Sequence, residues 1–337
     1  MRDLKNGLTK SGKGSTNIQS TRGRSFGYQV LGFGSGGGVA TREFDYLVVA
    51  GGGATVGGLS AGGGAGGFRT SFPGGTKIEL LSGDSITVGA GGVASPSYPV
   101  TGANRIAGQG SSSSIVGPSL TITSAGGGVT NYTEAYPGSP YTAADNKGVR
   151  DGGSGSGTGH QGTNYGVGNT PPTSPSQGNP GGPGGGSYGS SGGGGAGGAG
   201  VNGTTPGSPP NNSGPGGPGS PNLIAPGYPL GTTFAGGGGG GGYGGSGGAG
   251  GPGGGGAGGT PPTGVGIVGT DGLGGGAGGT SSGPNNPVTK GGGDGVVFLR
   301  VATADAPAIA VTPGTNTVAT DGADKVCTFT VSGTVTF

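Results

Sequence analysis

Residues 44–58 read FDYLVVAGGGATVGG, an apolar strand pattern that runs directly into closely spaced glycines. Dinucleotide-binding proteins hold a pyrophosphate group at such a turn, and their motif is G-x-G-x-x-G. Gly51 and Gly53 fit this spacing, but Val56 occupies the third glycine position and Gly57 comes one place late. The motif also requires a helix, because the pyrophosphate binds at a helix N-terminus. The glycine-rich residues that follow cannot form one, so the sequence predicts no nucleotide site here.

A second stretch, GLTKSGKGS at residues 7–15, resembles a phosphate-binding P-loop. Gly7, Gly12 and Lys13 have the spacing of that motif, whereas Gly14 occupies the position of the Ser or Thr that binds magnesium. No apolar strand pattern precedes the stretch. We therefore expect no phosphate site and no cofactor.

The residue types needed for other chemistry are scarce. His160 is the only histidine, and Asp151 is its closest acidic residue. Cys327 is the only cysteine, which excludes an internal disulfide and a cysteine-based zinc site. The 13 acidic residues are scattered, and no motif marks a general acid and base. We predict no catalytic, cofactor-binding or metal-binding residues and no enzymatic activity, with His160 in a surface loop and Cys327 packed in a strand.

The composition leaves little material for an ordinary hydrophobic core. Of 337 residues, 101 are Gly and 26 are Pro. Leu, Ile, Val and Phe make up about 16%, below the roughly 20% that goes with disorder in highly charged chains. The net charge is only +2, so repulsion does not expand the chain, and nucleic acid is not expected as the main partner. No apolar run suits a transmembrane helix, and we expect no signal peptide and no membrane insertion.

Basic residues dominate the N-terminus. The first 24 residues contain one acid and six basic residues, namely Asp3 and Arg2, Lys5, Lys10, Lys13, Arg22 and Arg24. Such a segment is either a solvated, flexible arm or an arm that docks on an acidic surface of a larger assembly.

Strand patterns lie near the two ends of the chain. They occupy residues 25–34, 43–50, 76–90, 119–124, 294–302 and several segments after 307. The stretch 76–90 reads as two strands around a Ser-Gly-Asp turn, and further turns are expected at Pro313-Gly314 and Ser332-Gly333. Helix patterns are almost absent, because Gly and Pro interrupt every candidate.

The glycine-rich middle has a period of three residues. In YGGSGGAGGP, residues 243–252, every third residue carries a side chain and the two between are glycine. Three residues per turn is the period of a polyproline-II helix, which has no internal hydrogen bonds. Collagen is excluded because it has one glycine in three, not two. The spacing predicts polyglycine-II helices that hydrogen-bond to one another along bare glycine edges and direct their side chains to solvent or to a sheet.

The seven glycines at 236–242 are predicted to form the most enclosed helix of this bundle. Ordering the backbone costs about 1–2 kcal/mol per residue. Hydrogen bonds between helices, at a net of about 0.5–1.5 kcal/mol each, must offset much of that cost. We expect Phe44–Ala50 to pair with Val296–Val301 as a clamp. The alternative, a disordered glycine linker, gives no reason for the spacing or for the flanking strands.

The tyrosines of the middle region carry the strongest binding signal. Tyrosine among Gly, Ser and Asn is the composition of adaptable binding loops. These side chains either contact a receptor, for example by stacking on sugar rings, or pack against neighbouring glycine helices. No receptor-contact residue can be nominated among Tyr132, Tyr136, Tyr141, Tyr165, Tyr188, Tyr228 and Tyr243.

The order of these elements resembles a glycine-rich domain of phage tail fibres and related virion proteins. The strand ending in VVAGGG, the GAGG before Phe68 and Arg69, the VGAGG at 88–92 and the closing strand at 295–301 follow in the same order. The resemblance covers residues 43–301. The stretch GYQVLGFGSGGG near the N-terminus is similar to structural proteins of marine cyanophages.

The patterns and the resemblance together predict a fold that is mainly β plus irregular. A small β-sheet clamps a bundle of polyglycine-II helices, with almost no α-helix and a short C-terminal β segment. The expected regions are an N-terminal basic arm and docking strand at 1–42, the glycine-rich domain at 43–301 and a β tail at 302–337. The better-understood relatives, the distal adhesins of T-even-like long tail fibres, imply variable loops at one end that contact a host receptor. The tail at 302–337 and the Pro- and Asn-rich loops depart from those adhesins.

The resemblance implies a virion structural protein, a tail fibre or fibre-tip component. We expect docking on other virion proteins through the N-terminal region, a homotrimer, and contact with a host-surface glycan or protein through loops. A capsid decoration or spike protein without a receptor role is the main alternative. An extracellular glycine-rich matrix protein is a further alternative, and it would require a secretion signal.

Overall fold

The computed structural model describes residues 40–94, 107–130, 147–159, 162, 164–184, 189–204, 212–262, 264–281 and 290–337. Within it, Thr41–Phe337 form one compact unit. The predicted strand at 25–34, the basic arm and His160 lie outside the described residues.

The described chain folds into antiparallel strands and extended glycine-rich segments. The strands are β1 (Arg42–Val49), β2 (Phe68–Thr70), β3 (Ile78–Leu80), β4 (Ser85–Thr87), β5 (Ser113–Val116), β6 (Thr121–Ser124), β7 (Ser220–Pro221), β8 (Thr233–Phe234), β9 (Val296–Ala302), β10 (Ala310–Thr312), β11 (Thr317–Asp321), β12 (Asp324–Phe329) and β13 (Gly333–Thr336). The only helix among the described residues is the single turn α1 (Lys147–Arg150). The predicted mainly β fold with almost no α-helix is confirmed.

Two antiparallel sheets hold the ends of the glycine-rich region. The first has the order β11-β12-β9-β1-β2, with β3 also paired to β1, and the second has the order β10-β13-β4-β5-β6. β1 and β9 pair from Asp45 opposite Arg300 to Val49 opposite Val296. The predicted clamp between these two distant segments is confirmed, although two large sheets and the two-stranded sheet β7-β8 are present among the described residues where one sheet was expected.

The residues of β1 alternate between two apolar layers, because successive side chains of a strand point to opposite faces. Phe44 and Val48 belong to the layer between the two sheets, together with Ile115 of β5. Leu47 belongs to a second layer on the outer face of the first sheet, where Phe234 of β8 packs. Most of the large apolar residues that are buried in the described part of the chain thus lie in one sandwich.

The strands predicted within 76–90 are correctly located but join different sheets. The turn between them contains Gly83, which has a φ of 99°. β3 pairs with β1 of the first sheet, whereas β4 pairs with β5 and β13 of the second. The turn therefore carries the chain from one layer of the sandwich to the other instead of closing a hairpin.

The C-terminal segment, predicted as a β tail at 302–337, supplies strands to both sheets. β12 pairs with β9 and forms a hairpin with β11. β13 pairs with both β10 and β4. This segment is therefore paired along its length with strands that clamp the glycine-rich region.

The glycine-rich segments form a bundle of extended rods, where a rod is one such segment running between the two ends of the bundle. The rod at 60–67 shows the period most clearly. The amides of Ser60, Gly63 and Gly66 donate to every third carbonyl oxygen of the rod at 273–281, at 2.8–3.1 Å. Every third amide of a rod thus meets the same neighbour, as the three-residue period predicts.

The other amides of the rod at 60–67 follow the same rule. Those of Gly62 and Ala65 donate to the rod at 189–196, and those of Gly64 and Gly67 donate to the rod at 125–130. Its carbonyl oxygens accept from three further rods, at 50–56, 152–158 and 235–242. Six hydrogen-bonded neighbours therefore surround this rod, and most of its backbone groups bond to other rods without a sheet.

The glycine run 236–242 is buried throughout and also has six hydrogen-bonded neighbours. It shares the centre of the bundle with the rod at 60–67, which is equally buried although it contains Ala61 and Ala65. An unbroken glycine run is therefore sufficient for full enclosure but is not required, because a single methyl group fits at selected positions.

The X-Gly-Gly spacing at 243–252 matches the exposure of its residues. The four residues with side chains are exposed, namely Tyr243, Ser246, Ala249 and Pro252. The second glycine of each Gly-Gly pair between them is buried, namely Gly245, Gly248 and Gly251. One edge of this rod faces solvent while the glycine edge faces the bundle.

Candidate interaction surface

The two ends of the bundle differ. At the sheet end, rods continue directly into strands β1, β2, β6, β8 and β9. The rod at 60–67 runs toward this end, because Gly67 is followed by β2, and the antiparallel rod at 125–130 runs away from it. Ser60 and Thr130 therefore mark the opposite end, which we call the loop end.

The described residues on either side of six segments lie at the loop end, and apart from Gly162 the segments themselves lie outside the described residues. The hydrogen-bond ladders place there the described residues that flank 95–106, 131–146, 160–163, 185–188, 205–211 and 282–289. These six segments include five of the ten tyrosines, namely Tyr98, Tyr132, Tyr136, Tyr141 and Tyr188. Because binding residues concentrate on loops positioned by a rigid scaffold, the loop end is the candidate interaction surface.

Hydroxyl groups fasten the base of the loop end. Ser60 Oγ and Thr280 Oγ1 are buried and 3.2 Å apart. The Thr280 hydroxyl also donates to the carbonyl oxygen of Val56 at 3.3 Å, and the Ser60 amide donates to the carbonyl oxygen of Thr280 at 3.1 Å. These contacts hold the turn at 57–59 against the rod at 273–281, so this part of the surface has a fixed base.

The candidate tyrosines of the middle region that the structure describes separate into two groups. Tyr165 and Tyr243 are 42% and 41% exposed. Tyr228 is half-buried at the sheet end, where its ring centroid lies 5.6 Å from that of Phe234 and 5.1 Å from that of Phe298. Burial raises the pKa of the Tyr228 phenol. Tyr228 therefore packs against the sheet, whereas Tyr165 and Tyr243 face solvent. The remaining candidates lie outside the described residues, namely Tyr132, Tyr136, Tyr141 and Tyr188.

The glycines that resembled a dinucleotide motif lie inside the bundle. The amides of Gly51, Gly52 and Gly53 donate to carbonyl oxygens of three other rods at 2.8–3.0 Å. These donors, which would have to bind a pyrophosphate, are already used by the protein itself. The motif is therefore a structural feature of the first rod.

Cys327 is fully buried in β12, and burial raises the pKa of its thiol to about 12. A thiol of this kind is a packed apolar group, as the sequence predicts, and not a nucleophile. Within the described ranges, no group of His, Cys, Asp and Glu is arranged to hold a metal ion. The same ranges contain no helix with the length and hydrophobicity needed to cross a membrane.

Comparison with known proteins identifies the bundle and its clamp as one family unit. No curated protein and no solved structure matches the chain. A family model described as a glycine-rich domain matches residues 37–302, which include β1, β9 and every rod between them. The chain therefore belongs to the glycine-rich domain family.

Proposed function

We propose that this protein is a structural component of a bacteriophage virion, a tail fibre or fibre-tip protein, whose loop end contacts the host surface. The observation that carries the proposal is the convergence, at one end of the bundle, of the described residues that flank six segments without the rod pattern in their sequence. Such an arrangement lets the contacting residues vary while the rods that support them stay the same. Its support from sequence is the resemblance to glycine-rich virion proteins over residues 43–301.

The glycine-rich bundle is suited to be the stiff body of a fibre that carries the loop end. Its rods are held by backbone hydrogen bonds at every level and not by side chains that a change in the loops would disturb. Tyrosine, serine and asparagine occur in the six segments whose flanking residues lie at the loop end. These residue types supply large contact area and adaptable hydrogen bonding. A host-surface glycan or protein is the partner that this composition fits.

Attachment to the particle is assigned to the N-terminal region. The six basic residues among the first 24 would dock on an acidic surface of another virion protein. We further propose a homotrimer in the virion, because a chain with so few large apolar residues gains stability from partner subunits. Native mass spectrometry of the purified protein tests this part, and a stable monomer would contradict it.

A capsid decoration or spike protein is the second candidate, because the bundle would serve equally well as a surface projection on a head. Electron microscopy of particles labelled with an antibody against the C-terminal strands separates the two. Label on the tail supports the proposal, and label confined to the head contradicts it.

The receptor role has its own test. Residues 131–146, which contain Tyr132, Tyr136 and Tyr141, are replaced with a Gly-Ser segment of equal length. We expect normal particle assembly and a loss of adsorption to host cells. Matched variants replace residues 95–106 and 282–289 in the same way. If none of the three variants changes adsorption, the receptor role is contradicted and the protein is a structural component only.

A further inference from the structure

A groove of about 490 Å³ lies at the sheet end, far from the candidate interaction surface. It forms because the loop that joins β7 to β8 covers the outer face of the first sheet only in part. Ile224 and Phe234 of this region pack on the apolar layer formed by β1 and β9, whereas Thr317 and Ala319 of the edge strand β11 stay exposed. Grooves of roughly 300–1,000 Å³ are typical of small-molecule sites.

One wall of the groove is apolar. It is formed by residues 226–230 and includes Tyr228 and Leu230. Tyr228 is fixed in place by its ring contacts with Phe234 and Phe298, whereas Leu230 is 50% exposed. The wall therefore offers a rigid aromatic side chain beside an aliphatic one that faces solvent.

The floor of the groove carries hydroxyl groups. In the register of β11 and β12, Thr317 lies opposite Thr328 and Ala319 lies opposite Val326, so these four residues share one face of the hairpin. Thr330 continues the row. Within the described part of the chain, the hydroxyls of Thr317 and Thr328 make no hydrogen bond. Each threonine hydroxyl can both donate and accept.

The groove has no free charge for a charged ligand to pair with. Its one charged lining residue, Asp321, accepts a hydrogen bond from the Arg300 guanidinium at 2.7 Å. The carboxylate is therefore already paired with a cation of the protein. A phosphorylated or strongly ionic ligand would meet no compensating partner here, so the charge balance favours a neutral occupant.

We propose that this groove binds a neutral saccharide. The C–H face of a pyranose ring packs against Tyr228 and Leu230, and its hydroxyl edge faces Thr317 and Thr328 on the floor that also contains Ala319. The two sides of such a sugar match the two sides of the groove. This site is independent of the proposed function, since it lies at the sheet end and does not involve the six segments at the loop end.

The test is a titration of the full chain, labelled at its Leu, Val, Ala and Thr methyl groups, followed by NMR. The probes are methyl α-D-glucopyranoside, methyl α-D-galactopyranoside, methyl α-L-rhamnopyranoside and methyl N-acetyl-β-D-glucosaminide, each added separately. We expect at least one to shift the Leu230, Val326 and Ala319 signals with a Kd on the order of 1 mM. The absence of such shifts with all four probes would overturn the proposal.

Two variants locate the site and its chemistry. Ala319→Leu fills the floor and is expected to abolish the shifts, whereas Ala310→Leu, the same change at an exposed position of β10, leaves them intact. The double variant Thr317→Val and Thr328→Val keeps the shape and removes the hydroxyls. We expect it to weaken binding about tenfold. Equal or tighter binding of the same probes by this variant would overturn the proposed contact between the sugar hydroxyls and Thr317 and Thr328.

The same groove borders the edge strand β11, to which another chain could add by strand pairing. Sedimentation velocity of the wild type and of Ala319→Leu distinguishes this occupant. We expect no difference between the two. A concentration-dependent self-association that Ala319→Leu removes would mean that the groove is covered by a second copy, and it would overturn the saccharide site.

Discussion

The carbonyl oxygen of Gly238 occupies the space that a Cβ atom on Gly62 would need. One residue further on, the Gly238 amide donates to the carbonyl oxygen of Gly63 at 2.9 Å. The two central rods are thus held at a separation that only a hydrogen atom on Cα permits, in the manner of a Cα–H···O contact. Glycine is required at Gly62 for close packing between rods and not for an unusual backbone angle.

Replacement of this glycine tests the packing directly. Gly62→Ala forces the two rods apart and weakens the ladder between them, so we expect the free energy of unfolding to fall by about 1–3 kcal/mol. Unfolding in guanidinium chloride measures the change. Gly314→Ala is the control, because no atom lies within 4 Å of a Cβ built there, and it should change stability by less than about 0.5 kcal/mol. Equal effects of the two substitutions would contradict the packing argument.

The three-residue period predicts which positions of a surface rod tolerate change. A Cβ on Gly248 would overlap the carbonyl oxygen of Gly214, and one on Gly251 would overlap that of Gly217. We expect Gly248→Ala and Gly251→Ala each to lose about 1–3 kcal/mol, whereas Ala249→Ser, at an exposed position, stays within about 0.5 kcal/mol. Thermal unfolding of the three variants checks this, and a loss at Ala249 as large as at Gly248 would refute the assigned edge.

Local spacing was sufficient to predict the rods and their clamp. Every third residue at 243–252 carries a side chain, and only a three-residue helix places all of them on one edge. The clamp followed from two apolar runs at the ends of the glycine region, Phe44–Ala50 and Val296–Val301. Each is long enough for a strand, and each borders the glycine region on one side, the first at its end and the second at its start.

The partners of the shorter strands could not be predicted. Ile78 of β3 and Ile86 of β4 are both buried by simple alternation, and nothing in their own sequence says that one pairs with β1 and the other with β5. The position of the loop end could not be predicted from the sequence either, because it depends on the direction in which each rod runs through the bundle. The sheet end has connections of its own, among them the tight turn at Gly253 and Gly254 with φ of 99° and 94° and the longer loop between β7 and β8, so loop length alone does not distinguish the two ends.

Arg300 of β9 joins three separate elements at the sheet end. Its Nε donates to Asp324 Oδ2 at 2.8 Å, and its Nη1 donates to Asp321 Oδ2 at 2.7 Å and to the carbonyl oxygen of Ile224 at 2.9 Å. Its guanidinium carbon lies 5.2 Å from the centre of the Phe72 ring. A lysine cannot reproduce this planar set of contacts, so Arg300→Lys should lower the free energy of unfolding by about 1–3 kcal/mol.

The size of this effect comes mainly from hydrogen bonding and not from net charge, because the Asp321 side chain is 46% exposed and its ion pair is screened by solvent. Denaturant unfolding at low and high salt measures both contributions, and we expect the loss to persist at high salt. Lys325→Arg, a charge-conserving change on the neighbouring strand β12 where Lys325 is half-buried, is the matched control with an expected change below about 0.5 kcal/mol. A loss that vanishes in high salt would contradict this account of Arg300.

The buried thiol of Cys327 predicts a loss of stability at high pH. Burial raises its pKa from 9.0 to about 12, so between these values the unfolded chain releases the proton while the folded chain keeps it. The unfolded state then binds fewer protons, and the free energy of unfolding falls as pH rises. At about 1.36 kcal/mol per pKa unit, the contribution lost over this range is about 4 kcal/mol.

Comparison with Cys327→Ala isolates this contribution, because burial also raises the pKa of Tyr46 and Tyr228 and both tyrosines titrate in the wild type and in the variant. Near pH 7 the wild type should be the more stable of the two, since the variant loses packed atoms. As pH rises from about 9, the variant keeps a stability that the wild type loses, so the difference should shrink and then reverse. Denaturant unfolding from pH 7 to 11 follows this difference. A constant difference would show that the thiol ionises equally in both states, and the burial of Cys327 would then not control its charge.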